Sequence, residues 1–163
     1  EPRDGTATVL TARLPTVKVA ERAATVVPER SDPLVAGMRV LLAEDNPVNR
    51  RVAEGLLRRA GFIVSSVEDG DLAIEALREN EYDLVLMDVD MPRMNGIEAT
   101  REVRRLEKEA ELDGRRLIFA LTANAVGGSR DACIAAGMDE HLSKPFRPAA
   151  LLKLLQESQA PPR

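Results

Sequence analysis

The chain has 163 residues, a formal net charge of -4 and 44% hydrophobic residues, values that suit one soluble domain with a short appendage and exclude collagen, wholesale disorder and a disulfide scaffold. Its acidic balance and its lack of Trp disfavour nucleic-acid binding, while one Cys and one His leave no zinc cluster and favour a reducing, cytoplasmic location. No apolar run approaches the ~18 residues of a membrane span, so no direct membrane contact is expected.

Residues 1–36 differ in composition from the rest of the chain, with four prolines and no aromatic residue. The segment 5–15 is rich in β-branched residues and stops at a proline, which predicts a single strand, and the remainder resembles a linker. A lone strand cannot satisfy its own backbone groups, so it pairs with a missing domain, docks on an edge of this one or stays disordered. Because the chain also starts at Glu1 rather than Met, we expect it to be a piece of a longer protein.

From Met38 onward, short apolar runs alternate with stretches of helical periodicity, which predicts five strands and five helices. The strand runs lack polar alternation, as is typical of strands covered on both faces of a parallel sheet. The predicted fold class is therefore α/β, a doubly wound five-stranded parallel sheet with five helices. The predicted strands cover 38–43, 62–64, 84–87, 117–121 and 140–142, and the predicted helices cover 46–61, 69–80, 96–109, 125–136 and 147–157.

Two of the predicted helices carry distinctive patterns. Asn46 caps the first, Pro47 occupies its first turn, and Gly61 ends it. Apolar residues recur on one face of each helix. These are Val48, Val52 and Leu56 in the first helix and Ala99, Val103 and Leu106 on the buried face of the third. Cys133, in the fourth helix, is expected to fill the core.

Polar residues follow four of the predicted strands at their carboxyl ends, where ligands bind in an open parallel sheet. Three of them are acids that would repel one another unless a cation neutralised them, and oxygen ligands suit Mg2+. A lysine and a threonine hydroxyl stand opposite, as a phosphoryl group would require. The pattern predicts a phosphoryl-transfer site with Mg2+, built from Glu44, Asp45, Asp88, Thr122 and Lys144.

Each of these residues also has an ordinary structural explanation. Asp45 alone would be a helix cap or a turn residue, and Glu44 alone a solvated acid. Thr122 alone would cap the following helix, and Lys144 alone would be a surface lysine. Their joint placement at the strand ends of one sheet, with complementary charges, favours the functional interpretation.

Residues 38–156 resemble the receiver domain of two-component response regulators, a likeness that implies the flavodoxin-like strand order 2-1-3-4-5. It rests on four motifs, which are Val40-Leu41-Leu42-Ala43-Glu44-Asp45-Asn46, Leu84 to Gly96 with its Met87-Asp88-Val89-Asp90-Met91-Pro92 core, Ala120-Leu121-Thr122-Ala123-Asn124-Ala125, and Leu142-Ser143-Lys144-Pro145-Phe146. The resemblance implies that Asp88 is phosphorylated. It also implies that Mg2+ is held by Glu44, Asp45, Asp88 and the backbone carbonyl of Asp90, and that the phosphoryl group is bound by Thr122, Ala123 and Lys144. His141 falls at the switch position, together with Thr122, where Tyr or Phe is commoner.

The segments 124–125 and 135–140 look like those of receivers at the carboxyl end of hybrid sensor histidine kinases, and 5–15 is similar to the closing strand of a histidine-kinase ATPase domain. The resemblance divides the chain into that strand (1–15), a linker (16–36), a receiver (37–158) and a tail (159–163). No ATP-binding motif or candidate phosphorylated histidine is present, so we expect the chain to catalyse only its own phosphorylation and dephosphorylation. The longer parent protein is expected to be a histidine kinase. Whether that kinase is attached to a membrane stays open.

The predicted mechanism is attack of Asp88 on a phosphohistidine, followed by movement of Thr122 and His141 that reshapes the face of strands 4 and 5 with helix 4. Only 158–163 follow the last helix, so the expected partner is a histidine phosphotransfer protein or a kinase core, with a dimer through the same face as an option.

Two other classes of protein stay open. Asp88-Val89-Asp90 also fits the Asp-x-Asp motif of haloacid-dehalogenase-like phosphatases, and the fold also occurs in interaction modules that are never phosphorylated.

Overall fold

A computed structural model describes residues 36–123 and 129–158 of the chain. Strands and helices alternate throughout this part. The strands are Arg39–Ala43 (β1), Ile63–Val67 (β2), Leu84–Asp88 (β3), Leu117–Thr122 (β4) and Glu140–Ser143 (β5), and the helices are Pro47–Arg59 (α1), Gly70–Glu79 (α2), Gly96–Lys108 (α3), Ser129–Ala136 (α4) and Pro148–Ser158 (α5).

The five strands form one parallel sheet in the order β2-β1-β3-β4-β5, which confirms the predicted fold class and strand order. The register aligns the carboxyl ends of the strands. Ala43 lies opposite Met87, Asp88 opposite Leu121, and Thr122 opposite Ser143. The residues that end or follow β1, β3, β4 and β5 therefore lie along one edge of the sheet.

Helices cover both faces of the sheet, and the apolar core has two halves. On one face α2, α3 and α4 pack on the sheet, and on the other face α1 and α5 do so. The central strands β1 and β3 are buried at every apolar position, as the absence of polar alternation predicts. Cys133 is fully buried in the first half, and Ala99, Val103 and Leu106 are also buried there, both as predicted.

Helix α1 packs on the sheet through a different face from the predicted apolar face of Val48, Val52 and Leu56. Asn46 caps it as predicted, with its side chain accepting hydrogen bonds from two backbone N–H groups. The helix buries Ala53 and Leu57, whereas Val48 and Val52 remain 69% and 58% exposed. The predicted apolar face is therefore a surface, and it lies beside the site described below.

The element boundaries differ from the prediction mainly at the sheet edge and in α4. Strand β2 starts at Ile63 and continues to Val67, beyond the predicted 62–64, because an edge strand tolerates polar residues: Ser65 is exposed, and the Ser66 hydroxyl on the other face donates to the Glu54 carboxylate. Helix α4 is described from Ser129. Three segments lie outside the described residues, namely 1–35, 124–128 and 159–163. They contain the predicted amino-terminal strand, most of the linker, the start of the predicted fourth helix and the tail. None of the described helices is long and apolar enough to span a membrane.

Candidate functional site

The three predicted carboxylates meet at the carboxyl edge of the sheet. Glu44 follows β1, Asp45 comes next, and Asp88 ends β3, and one oxygen of each lies within 4.8 Å of the others. Glu44 and Asp88 are each only 2% exposed, while Asp45 reaches further into solvent. Three negative charges so close together, two of them shielded from water, form a site that favours a cation.

Within the part of the chain that the structure describes, Lys144 supplies the one positive charge inside this cluster. Its Nζ lies 2.5 Å from Asp88 Oδ2 and 2.6 Å from Glu44 Oε2, so it bridges the two buried acids. The backbone fixes its position, because the Lys144 N–H donates to the carbonyl of Thr122 at 2.8 Å, just beyond the paired ends of β4 and β5. One lysine neutralises one of three carboxylates, and the remaining charge is available to a divalent metal.

Burial and charge shift the proton affinities of this pair. Burial raises the pKa of Asp88 above its ordinary value, and the hydrogen bond and charge of Lys144 offset only part of that rise. Burial lowers the pKa of Lys144, but its hydrogen bonds to Asp88 and Glu44 and their charges together outweigh burial and raise it. Lys144 thus remains a cation, and the charged form of Asp88 is held at a cost to the fold.

The loop after β3 completes the floor of the site. The Asp90 N–H donates to Asp88 Oδ1 at 3.1 Å, and the Gly96 N–H donates to the Val89 carbonyl at 3.1 Å. A side chain at Gly96 would not fit, since its Cβ would lie 2.1 Å from the Asp88 carbonyl oxygen. This close approach seats the start of α3, capped by Asn95, directly beneath the Asp88 backbone.

The carboxylates open into a cavity of about 490 Å³. Asp90 and Ala123 line it, and Thr122, the last residue of β4, is 4% exposed between the lining residues Leu121 and Ala123. An apolar wall completes it on the α1 and α5 sides, formed by Val52, Leu56, Pro145 and Phe146. Of the predicted site residues, the cavity lining brings together Glu44, Asp45, Asp88, Asp90, Ala123 and Lys144, whereas Thr122 and His141 do not line it.

His141 lies outside this cavity. It sits in β5 opposite Ala120, with its side chain 23% exposed and Nδ1 3.7 Å from Glu140 Oε2. Asn124 and Ala125, the end of the third motif, lie outside the described residues.

Two contributors were missed by sequence reasoning. The Asn49 side-chain amide donates to Glu44 Oε1 at 3.1 Å, and Arg50 Nη1 donates to the Glu44 carbonyl at 2.7 Å. Both lie in the first turn of α1, which the Asn46 cap turns back toward the loop after β1. The signal was present, because a cap followed three and four residues later by two polar side chains places them beside the residues that precede the cap.

A doubly wound parallel sheet with an acidic, lysine-bridged site at its carboxyl edge defines the class of protein. The family model described as "Response regulator receiver domain" matches residues 40–156. The chain belongs to this family, and its role is that of a phospho-accepting receiver, as the motifs predicted.

Similar proteins include kinases much longer than this chain. Histidine kinase 2 of Arabidopsis thaliana is 38% identical over 135 residues, which cover 72% of this chain and 12% of the kinase. Hybrid signal transduction histidine kinase M of Dictyostelium discoideum is 40% identical over 120 residues, which cover 72% of this chain and 5% of that protein. The chain thus spans only a small part of the curated relatives that it matches.

Solved structures give the same family. The receiver domain of sensor histidine kinase PA1611 from Pseudomonas aeruginosa PAO1, with a magnesium ion in its active site cleft, is 45% identical with a TM-score of 0.66, covering 75% of this chain and 97% of that one. The receiver domain of CKI1 from Arabidopsis thaliana, complexed with Mg2+ and BeF3-, is 32% identical with a TM-score of 0.69, covering 79% and 94%. The Ssk1 receiver of Saccharomyces cerevisiae, in complex with the histidine phosphotransfer protein Ypd1, is 27% identical with a TM-score of 0.69, covering 76% and 89%.

Proposed function

We propose that Asp88 is the phosphoryl acceptor of this receiver and that it takes the group from a phosphohistidine of a partner. A single observation carries this proposal. Asp88 is the buried carboxylate that one lysine holds at 2.5 Å in the midst of two further acids, at the mouth of a cavity that reaches solvent. A carboxylate so placed is oriented for attack and surrounded by the charges that a phosphoryl group needs.

In the reaction, an oxygen of Asp88 forms a bond to phosphorus while the bond from phosphorus to the imidazole nitrogen breaks. The electron pair of that bond stays with the imidazole, and the product on this chain is an acyl phosphate. Lys144 places its positive charge beside the transferred oxygens, and Thr122 and Ala123, at the end of β4, are the proposed phosphoryl contacts on the opposite side.

The donor set fits Mg2+. Glu44, Asp45 and Asp88 each offer a carboxylate oxygen within one small volume, and Asp90, which lines the same cavity, is proposed to add its backbone carbonyl. When bound, Mg2+ neutralises charge on the attacking and transferred oxygens. Magnesium in the related PA1611 and CKI1 receivers supports this assignment.

Output is proposed to pass through the face formed by β4, β5 and α4. Phosphorylation would draw Thr122 toward Asp88, and the half-buried His141 ring on β5 would move into the space that Thr122 leaves. A second copy of the chain could also dock on this face. NMR signals of His141 that do not change when a phosphoryl mimic binds would remove it from this role.

The partner is proposed to be a histidine phosphotransfer protein or a histidine kinase core, as the Ssk1 complex with Ypd1 supports. The exposed apolar residues Val48 and Val52 on α1 adjoin the cavity, and Val52 lines it. An apolar surface on this rim lets a helical partner dock with its histidine facing Asp88.

We further propose that residues 1–15 close a preceding ATPase domain, that 16–36 link it to the receiver 37–158, and that the parent is a cytoplasmic or membrane-attached hybrid kinase.

The test is intact-mass measurement with a small acyl-phosphate donor, with Mg2+ and with a chelator. Wild type should gain one phosphoryl group only with Mg2+, and Asp88→Asn should gain none. Asp90→Asn is the matched control, because it removes a neighbouring carboxylate but keeps the backbone carbonyl, and it should still be labelled. Labelling of Asp88→Asn at the wild-type level would refute Asp88 as the acceptor.

Turnover of a phosphate ester would favour the phosphatase alternative, and the labelling measurement itself tests the interaction module. A haloacid-dehalogenase-like phosphatase would use the Asp90 side chain as its acid, yet Asp88 accepts hydrogen bonds from Lys144 and from the Asp90 backbone N–H. An interaction module that is never phosphorylated would show no labelling under any condition. No specific observation favours either class.

A further inference from the structure

Of the loops that follow β1, β2 and β3, the loop between β2 and α2 is the one that contributes no proposed metal ligand. It nevertheless carries two acids, Glu68 and Asp69. β2 is the neighbour of β1, so this loop lies beside the loop after β1, and Arg50 at the start of α1 approaches its Glu68. The loop after β3 reaches it through Arg93, which pairs with Asp69.

Asp69 is a buried acid with two bonds. Its side chain is 2% exposed, Oδ1 accepts from the Leu72 N–H at 2.8 Å as the cap of α2, and Oδ2 forms an ion pair with Arg93. A buried carboxylate without a counter-charge would be costly, so the Arg93 contact is the one that balances its charge.

Arg93 reaches this contact in an unfavourable backbone conformation. Its φ is 64°, and of the non-glycine residues that the structure describes only Ala110 shares a positive φ. A residue with a β-carbon has a higher conformational free energy in the left-handed region, and such outliers persist where the surroundings hold them in place. Arg93 lies in the loop that carries Asp90, and the neighbouring Met94 carbonyl accepts from the Gly70 N–H at 3.3 Å, so this loop is tied to the start of α2 twice.

The second arginine makes the corresponding link on the other side. Arg50 donates to the carbonyls of Glu44 and Asp45, at 2.7 Å and 3.4 Å, and its Nη2 lies 4.0 Å from Glu68 Oε2. Glu68 also approaches Arg93, at 3.9 Å. The exposed Glu68 contacts are weak by themselves. The pair of Arg93 with buried Asp69 is the stronger link.

We propose that Asp69 and Arg93 are positioning residues for the metal site, a role that rests on the proposed function. Neither touches the acceptor. Asp69 holds Arg93, Arg93 holds the loop at Asp90, and the loop thereby presents the Asp90 carbonyl toward Glu44, Asp45 and Asp88.

For Arg93, the proposal makes a prediction opposite in sign to simple electrostatics. Removing the positive charge of Arg93 would by charge alone strengthen binding of Mg2+, and removing the negative charge of Asp69 would weaken it. A positioning role predicts that both changes weaken binding. Arg93→Asn suits the test because Asn tolerates a positive φ, and Asp69→Asn because Asn remains a good helix cap.

The experiment is calorimetric titration of the full chain with Mg2+ alone. We expect roughly tenfold weaker binding in each variant, the lower end of the range for outer-shell partners of metal ligands. The double variant should bind no more weakly than either single variant, since both remove one contact. Arg93→Lys should restore most of the affinity, and Asp71→Asn, which removes an acid from the same helix start, is the matched control and should bind like wild type.

Tighter binding in Arg93→Asn, unchanged binding in both variants, or additive losses in the double variant would each overturn the proposal. These failures are distinct from a failure of the proposed function. A wild-type chain that neither binds Mg2+ nor gains a phosphoryl group overturns both, whereas a wild type that does both beside variants equal to it overturns only the positioning role.

Discussion

Asp88 and Lys144 illustrate how a functional site costs stability. Asp88 is buried beside Glu44, and its raised pKa means that the native state binds its proton more tightly than the unfolded chain does. Stability is therefore lost as the pH rises from the ordinary Asp value through the raised one, and the loss persists at neutral pH. The raised pKa of Lys144 has the same sign of effect at a higher pH, because its stabilising contribution is present below the ordinary Lys value, and so at neutral pH, and is lost only as the pH rises through the raised one.

This difference gives a prediction for Asp88→Asn without metal. The neutral amide keeps the shape of the carboxylate and removes one of three repelling charges, so the variant should melt at a higher temperature than wild type at neutral pH in a chelator. Near pH 4 the advantage should shrink, since Asp88 then carries its proton for part of the time. Thermal melts at both pH values make the comparison, and a variant less stable than wild type at neutral pH would contradict it.

Lys144 is expected to matter for phosphorylation more than for metal binding. Lys144→Ala removes the charge next to the transferred oxygens but leaves the three carboxylates in place, so Mg2+ should still bind. The labelling rate should fall by roughly 10²-fold, as when one donor to a developing charge is removed. Lys153→Ala, at an exposed position in α5, is the control and should label normally. Equal rates for the two variants would remove Lys144 from the reaction.

Two glycines show what α1 and α3 each require of their surroundings. Gly55 lies in the middle of α1, and a Cβ there would meet nothing within 4 Å, whereas a Cβ at Gly96 would collide with the Asp88 carbonyl. Gly55→Ala should therefore raise the free energy of unfolding by about 1 kcal/mol through helix propensity alone. Gly96→Ala should lower it by about 3 kcal/mol, the cost of overpacking beside a rigid strand.

Urea denaturation measures both changes. The two variants make the same chemical substitution in two helices that pack on the same sheet, so each controls for the other. If Gly55→Ala destabilised the chain, α1 would need the glycine for a contact within the domain. If Gly96→Ala were neutral, the approach of α3 to Asp88 would be looser than the distances indicate.

Elements were predictable from sequence where burial is complete. Strands β1 and β3 could be predicted because both of their faces are covered, which gives an unbroken apolar run. Helix α3 could be predicted because Ala99, Val103 and Leu106 recur with helical spacing. Edge strand β2 was predicted too short, since Ser65-Ser66 has no apolar signal. The exposed face of α1 was misleading in another way, because an apolar stripe predicts packing but cannot say whether the packing partner is this domain or another molecule.

The site was predictable for a topological reason. Parallel strands end at one edge, so residues far apart in sequence, such as Glu44, Asp88 and Lys144, had to meet. The supporting contacts of Asn49 with Glu44 and of Arg93 with Asp69 depend on how loops approach each other in space, and no periodicity in the chain encodes that. His141 was placed on its strand correctly, but its half-exposed environment followed only from the packing of β5.

At the scale of the whole molecule, the receiver is expected to work without residues 1–35. The described residues supply both core halves, the complete acidic cluster and Lys144. Deleting 1–35 should leave the melting temperature within about 2 °C of the full chain and leave Mg2+-dependent labelling unchanged, because the described residues already build the core and the acceptor site. A truncated chain that unfolds or no longer accepts phosphate would make this segment part of the domain.

The central claim is that this chain carries phosphate as an acyl phosphate on Asp88, and the bond itself gives the most direct test. Phosphorus-31 NMR of the chain treated with a small phosphodonor and Mg2+ should show one protein-bound resonance, absent in Asp88→Asn. Hydroxylamine should abolish it, because it cleaves acyl phosphates and leaves serine and threonine phosphate esters intact. A protein-bound resonance that survives hydroxylamine, or one that persists in Asp88→Asn, would contradict the claim.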